Sequence, residues 1–208
     1  MKFFSVDSGF YRFMTRLVDM MLLNLLWLLC SLPIVTLGAA TIAAYRVTLK
    51  MVDETEGYVA RDFFKGFKEN LKHGIPMGLL MLLCLYAIYL DFELFNKLEG
   101  NPIICLILGI VGIFIFVSMF LYSFPLSARY ENTFVNTLKN SVRITYRYFL
   151  RTLFLVIVLV VECVLFLFNE ITMFFGILIG PACLILTISG FAKSFFVEIE
   201  KEQDTIES

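Results

Sequence analysis

Long apolar stretches alternate with short charged segments along this chain. The first, from Met20 to Tyr45, contains no charged residue, and four mostly apolar stretches follow it. A helix that crosses a bilayer core needs about 20 residues, and lipid excludes open strands. We therefore predict an all-α, polytopic membrane protein with about five transmembrane helices and amphipathic interfacial helices in two cytoplasmic loops. Residues 1–208 form a single integral membrane domain, with spans at about 17–37, 74–95, 102–127, 150–168 and 171–192.

Composition supports a membrane protein and excludes several other classes. The chain is 60% hydrophobic and 17% charged, whereas soluble domains are about 45–50% apolar and about 25% charged. A net charge of −1 provides no basic surface for nucleic acid. All five cysteines fall in apolar stretches, and His73 has no potential ligand partners at metal-site spacing. We predict no metal, no cofactor and no nucleic-acid partner.

The distribution of lysine and arginine predicts the orientation in the membrane. The loop after the first span holds six of the 17 basic residues, the loop after the third span holds five, and the C-terminal tail holds two. Basic residues concentrate on the cytoplasmic side. If five helices cross the membrane, these loops and the C-terminus are cytoplasmic and the N-terminus is outside.

The first apolar stretch is interrupted near its middle by Pro33, Thr36 and Gly38. We interpret it as one span that is kinked at Pro33, with Thr36 helping to satisfy the freed backbone groups. Gly38 would end this span, and a short interfacial helix would follow over residues 39–50. In the alternative interpretation the break is a re-entrant turn, the N-terminus is inside and only four helices span.

Both cytoplasmic loops are predicted to contain basic amphipathic helices, at residues 61–72 and 133–151. Each combines an apolar stripe with a basic face, as in helices that lie among lipid headgroups. The two segments can be aligned with each other, which leaves open an internal duplication or two ordinary loop helices. The residues predicted to contact anionic headgroups or a partner are Arg61, Lys65, Lys68, Lys72, Lys139, Arg143, Arg147 and Arg151.

Polar residues inside the predicted spans form a candidate intramembrane site. Glu162 lies about 10 Å from the outer end of the fourth span, where an unpaired carboxylate is costly, so it should face the bundle. Asp19 and Asn24 lie in the first span. These three residues could form a solute or proton site, or could make structural hydrogen bonds. Gly176 and Gly180 form a GxxxG pattern that predicts close helix packing, within the chain or between two copies.

No catalytic motif is found: the sequence contains no HExxH, no phosphate-binding glycine loop and no GxSxG. We therefore predict a protein that is not an enzyme.

The break region also resembles the signature of the YesL-like family, a group of small bacterial integral membrane proteins of unknown function. The resemblance implies a multi-pass protein of the bacterial cell membrane, with no established activity, often encoded beside carbohydrate ABC transporters. The similarity is carried by Asn24, Trp27, SLPIVTLGAA at residues 31–40 with its Pro33, Thr36 and Gly38, Ala43-Ala44-Tyr45, and Asp62-Phe63-Phe64 with Phe67-Lys68.

This resemblance favours a non-enzymatic accessory to carbohydrate uptake or utilisation. Such a protein would contact ABC transporter permease subunits through its spans or its basic loop helices. The alternative is a small solute transporter or channel with Glu162 in its pathway. The two hypotheses differ in whether Glu162 is required for function.

Overall fold

Helices account for almost all of the backbone in the computed structural model, which describes residues 9–55, 57–97 and 103–207. These residues contain no strand. The predicted all-α, polytopic class is confirmed. In chain order the elements are α1 (Gly9–Ser31), a 3-10 turn (Ile34–Thr36), α2 (Leu37–Val52), α3 (Val59–Lys97), α4 (Ile103–Phe120), α5 (Ser123–Arg129), α6 (Phe134–Arg147), α7 (Phe149–Leu167) and α8 (Glu170–Glu207).

Six segments of the described chain, rather than five, are long and apolar enough to cross a membrane. The additional segment is the part of the first apolar stretch that follows the break. The predicted start of the third span, at residue 102, lies outside the described residues. The six segments are Phe10–Ser31, Ile34–Val52, Val59–Lys97, Ile103–Arg129, Phe149–Leu167 and Glu170–Lys201.

The chain reverses direction at the break instead of continuing as a kinked span. Trp27 Nε1 on α1 donates a hydrogen bond to Thr41 Oγ1 on α2 at 3.1 Å. Further from the break, the Arg16 guanidinium lies 3.9 Å from the Glu54 carboxylate. Residues progressively earlier in α1 thus meet residues progressively later in the α2 region. The two helices are antiparallel, and the interpretation as one kinked span is wrong.

Proline and threonine chemistry explains the position of the reversal. Pro33 is extended, with ψ of 103°, and a proline disfavours helical geometry at the residue before it. The Thr36 hydroxyl lies 2.6 Å from the carbonyl oxygen of Cys30 and 2.7 Å from that of Pro33. It therefore satisfies backbone acceptors left by the end of α1, as predicted. Leu32 and Ile34 at the tip are 75% and 67% exposed, which suits a tip surrounded by lipid.

The segment after the break is buried rather than interfacial. Ala39, Ala40, Ala43 and Ala44 are all 0% exposed, and α2 packs against α1, α3, α5 and α8. Small side chains on several faces let four neighbours approach one helix closely. The prediction of a surface helix over residues 39–50 is therefore wrong.

The first basic segment is part of a transmembrane-length helix. Residues 61–72 continue into the apolar part of α3 without interruption. Phe63 is fully buried, and a Cβ added at Gly66 would lie 3.4 Å from the Cα of Ala43. The apolar face of this segment therefore covers α2 rather than lipid headgroups. The second basic segment differs, because Tyr148 separates α6 from α7.

Candidate functional site

Asn24 is a structural link between α1 and α8. It is 1% exposed, and its Nδ2 donates to the carbonyl oxygens of Ile177 and Leu178, both at 2.9 Å. Pro181 lies four residues after Ile177 and has no N–H to bond that carbonyl. Asn24 thus supplies the donor that Pro181 removes from the middle of α8.

Glu162 has a different partner at a different level of the bundle. The Thr187 hydroxyl donates to its carboxylate at 3.1 Å. Thr187 and Leu178 are separated by about 14 Å along α8 at 1.5 Å per residue. Asp19 is half-buried on α1. In the part of the chain that the structure describes, no hydrogen bond or ion pair joins Asp19, Asn24 and Glu162, and their role as one polar site stays a prediction.

The GxxxG pattern of α8 faces α7 of the same chain. A Cβ added at Gly176 would lie 2.9 Å from the Phe166 Cβ, and one at Gly180 would lie 3.6 Å from the Phe166 ring. Both glycines thus accommodate one aromatic side chain. Because α7 covers this glycine face of α8, the face is not available for contact with a second copy of the chain.

The predicted basic contacts are all exposed. Arg151 also forms an ion pair with Glu198 at 2.8 Å, and its guanidinium lies over the Tyr148 ring. The exposed side chains are Arg61, Lys65, Lys68, Lys72, Lys139, Arg143, Arg147 and Arg151.

A charged cavity of about 770 Å³ opens at the end of the bundle where α2 ends. The sequence analysis did not predict it. It lies between α2, α3, α5 and the turn that leads into α6, and we call it the polar cavity. Its lining includes Arg46, Lys50, Asp53, Glu69, Asn70, His73, Ser127, Arg129, Tyr130, Glu131, Asn132 and Thr133.

Two ion pairs join α2 to α3 along one wall of the polar cavity. Arg46 bonds Glu69, and Lys50 Nζ lies 2.9 Å from the Asp62 carboxylate. The basic residues are four positions apart and the acidic ones seven, which is one and two helical turns. The matching spacing of basic and acidic residues was present in the sequence. It predicts ion pairs only when α2 and α3 are known to be antiparallel neighbours.

The opposite wall is tied to α8. Arg129 makes a bidentate contact with Glu200, through Nε at 3.1 Å and Nη2 at 3.0 Å. Lys193 Nζ lies 2.7 Å from Asp53. Tyr130 donates its hydroxyl to Glu200, and burial, reinforced by the Glu200 charge, raises the pKa of Tyr130 to about 12. The phenol therefore stays protonated and remains a donor at physiological pH.

These contacts make the polar cavity a preformed and charge-balanced feature. Its lining contains three basic side chains and three carboxylates. The basic residues are Arg46, Lys50 and Arg129, and the carboxylates are those of Asp53, Glu69 and Glu131. At its mouth Glu131 and Asn132 are exposed. No group of three or more His, Cys, Asp or Glu in the described chain has the arrangement of a metal site. The arrangement suits recognition of a polar surface, because its walls are fixed and its mouth carries both donors and acceptors.

Comparison with known proteins finds similarity to uncharacterised proteins. The profile of a family described as "Protein of unknown function, DUF624" matches residues 20–92, which include α2 and the α2–α3 wall of the polar cavity. An uncharacterised Bacillus subtilis (strain 168) protein, YesL, is 28% identical over 131 residues. The match covers 61% of this chain and 62% of YesL, so it spans less than two thirds of that relative. No solved structure matches. The predicted resemblance to the YesL-like family is confirmed.

Proposed function

We propose that this chain is a non-enzymatic membrane protein that assists carbohydrate uptake or utilisation by docking onto permease subunits of an ABC transporter. The observation that carries the proposal is the polar cavity, a preformed recess with Glu131 and Asn132 at its mouth. The transporter class comes from the genomic neighbourhood that the YesL-like resemblance implies. A protruding polar loop of the permease is the expected occupant.

The ion pairs favour docking over catalysis. Arg46, Lys50 and Arg129 each have a carboxylate partner within the chain. A group engaged in this way positions other groups and is poorly suited to proton transfer or nucleophilic attack. Polar interfaces of transient complexes need fixed donors and acceptors, which these walls provide.

We place the cavity end of the bundle in the cytoplasm of a bacterial cell. Among the described basic residues, Lys97 alone lies at the opposite end, at the C-terminus of α3, and the positive-inside rule then sets the orientation. Because α1 and α2 are antiparallel, the start of α1 lies at the cavity end too. The N-terminus is then cytoplasmic, which departs from the sequence-based prediction.

Filling the mouth of the polar cavity tests the docking proposal. Asn132→Trp should reduce cross-linking to ABC transporter permease subunits of the same membrane by at least about fivefold, since a large side chain blocks the mouth and removes contacts with the permease. The measurement is quantitative mass spectrometry of cross-linked membranes. Asn136→Trp is the matched control, because Asn136 is exposed on α6 and outside the cavity lining. Equal cross-linking by both variants would refute docking at this site.

Transport through the protein is the second candidate, favoured by the position of Glu162 in an apolar helix. Its partner Thr187 also lines an open groove of about 740 Å³ together with Arg16. A transport role requires the carboxylate, so Glu162→Gln should abolish solute flux in proteoliposomes. The docking role predicts no flux in either protein, and permease cross-linking by Glu162→Gln at the wild-type level.

A further inference from the structure

A second cavity, of about 550 Å³, lies between α6 and the C-terminal part of α8 and shares Tyr130, Glu131 and Asn132 with the polar cavity. We call it the amphipathic groove. Its floor is apolar and one rim is basic, while the turn between α5 and α6 forms the other rim. The floor consists of Leu126, Ile144, Phe196 and Ile199, and the rims include Asn140, Arg143, Arg147, Glu131 and Asn132.

The floor of the groove is part of the folded core. Phe196 is 1% exposed, and Leu126 and Ile144 are each 5% exposed. Phe196 also packs edge-on against Tyr130, with ring centroids 5.5 Å apart. The apolar surface at the base of the groove is therefore fixed.

The basic rim presents two guanidinium groups on one face of α6. Arg143 and Arg147 are four residues apart, which places them on neighbouring turns. Both are exposed, and the Arg147 guanidinium lies 5.5 Å from the centroid of the Tyr148 ring. Two guanidinium groups at this spacing can share one phosphate through charge-assisted hydrogen bonds.

Hydrogen bonds to α4 hold α6 in place. The hydroxyls of Ser141 and Thr145 donate to the Ser118 carbonyl oxygen, at 3.0 and 3.3 Å. Small hydroxyl side chains of α6 face α4, whereas the apolar side chains of Val135 and Tyr146 on the same helix are 54% and 59% exposed. A helix with exposed apolar and basic faces belongs at the boundary between lipid and water.

We infer that the amphipathic groove binds one anionic glycerophospholipid with a hydroxylated headgroup, the class to which phosphatidylglycerol belongs. The phosphate lies between Arg143 and Arg147, and the headgroup hydroxyls reach Asn132 and Glu131. The glycerol backbone and the first methylenes of an acyl chain cover the apolar floor. Basic pockets at the cytoplasmic ends of membrane helices bind anionic headgroups in this way. The inference does not depend on the proposed docking function.

Lipid retention by the purified full-length chain tests the inference. The probe is phosphatidylglycerol titrated into detergent micelles, with phosphatidylcholine as the neutral comparison and native mass spectrometry as the readout. The Arg143→Gln/Arg147→Gln double variant should bind phosphatidylglycerol at least about tenfold more weakly than wild type. The control is Lys68→Gln/Lys139→Gln, which removes the same charge from exposed positions outside the groove lining. Equal weakening in the two double variants would overturn the site, because nonspecific attraction would then explain the binding.

Two further measurements separate a lipid site from a phosphate site. Ile199→Gln makes the floor polar without changing the basic rim, and it should weaken phosphatidylglycerol binding while leaving helicity unchanged. Inorganic phosphate at millimolar concentration should not displace the lipid. Displacement by inorganic phosphate, or full binding by folded Ile199→Gln, would overturn the proposed lipid site in favour of a simple anion site.

Discussion

At the scale of single residues, the polar side chain of Asn24 compensates for a specific backbone feature of another helix. Asn24 donates to two carbonyls of α8, and Pro181 explains why one of them lacks its helical donor. The sequence placed Asn24 in the first span as part of a candidate polar site. It did not reveal the partner, because a carbonyl freed by a proline 157 residues away becomes a neighbour only in the folded chain.

A double-mutant cycle tests this link. Asn24→Ala should lower the free energy of unfolding by about 1–3 kcal/mol, because it leaves the Ile177 carbonyl without a donor. In a Pro181→Ala background the cost should be smaller, since the substituted alanine supplies an N–H for the Ile177 carbonyl. Reversible unfolding in mixed micelles provides the measurement. Equal costs of Asn24→Ala in the two backgrounds would contradict the idea that Asn24 replaces the donor missing at Pro181. Thr15→Ala is the control, because the exposed Thr15 hydroxyl bonds within α1. It should lower the free energy of unfolding by less than about 0.5 kcal/mol.

At the scale of elements, the packing of α2 depends on the absence of side chains. A Cβ added at Gly38 would lie 2.1 Å from the Gly74 carbonyl oxygen and 2.7 Å from the Gly78 backbone nitrogen. Backbone atoms cannot rotate away as the end of a side chain can. Gly38, Gly74 and Gly78 therefore permit the close approach of α2 and α3, and the role predicted for Gly38 as the end of a span is wrong.

Alanine at this contact should separate the two helices. We expect Gly38→Ala to lower the free energy of unfolding by at least about 1–3 kcal/mol through overpacking. Gly190→Ala is the control, because an added Cβ there meets nothing within 4 Å. Thermal unfolding of both variants in the same detergent measures the difference. Equal melting temperatures would mean that the α2–α3 distance is not limited at Gly38.

The sequence located the break between elements but not the direction of the chain after it. Pro33 and Thr36 identified where helical hydrogen bonding stops. A kink and a reversal need the same break and similar apolar lengths, so hydropathy does not distinguish them. The alanine and glycine pattern after the break was the available signal, since small residues favour close packing over a position among headgroups.

At the scale of the whole molecule, the reversal changes how charge is distributed between the two ends. With α1 and α2 antiparallel, Arg12 and Arg16 join the other basic residues at the cavity end. Lys97 is the exception within the described ranges. This distribution agrees better with the positive-inside rule than the predicted five-span arrangement does.

Cysteine labelling in intact cells tests the arrangement. In a background with the native cysteines replaced, Arg12→Cys and Tyr58→Cys should both be protected from a membrane-impermeant maleimide until the cells are permeabilised. Lys97→Cys should be labelled without permeabilisation, because it lies at the opposite end of α3. Arg12, Tyr58 and Lys97 are all exposed in the structure. Labelling at Arg12 with protection at Tyr58 would place the ends of the α1–α2 hairpin on opposite sides, which its geometry forbids.

The sequence by itself determined the class of the protein, the presence of its long apolar stretches and the position of the break. These follow from local properties: apolar length, backbone hydrogen bonding and the missing N–H of proline. Only the tertiary structure decided that α2 is buried, that Asn24 and Glu162 serve different levels of the bundle, and that charges from three helices and the turn after α5 surround one cavity. Those features depend on which helices are neighbours and in which direction they run, and a hydropathy pattern is the same for every such arrangement.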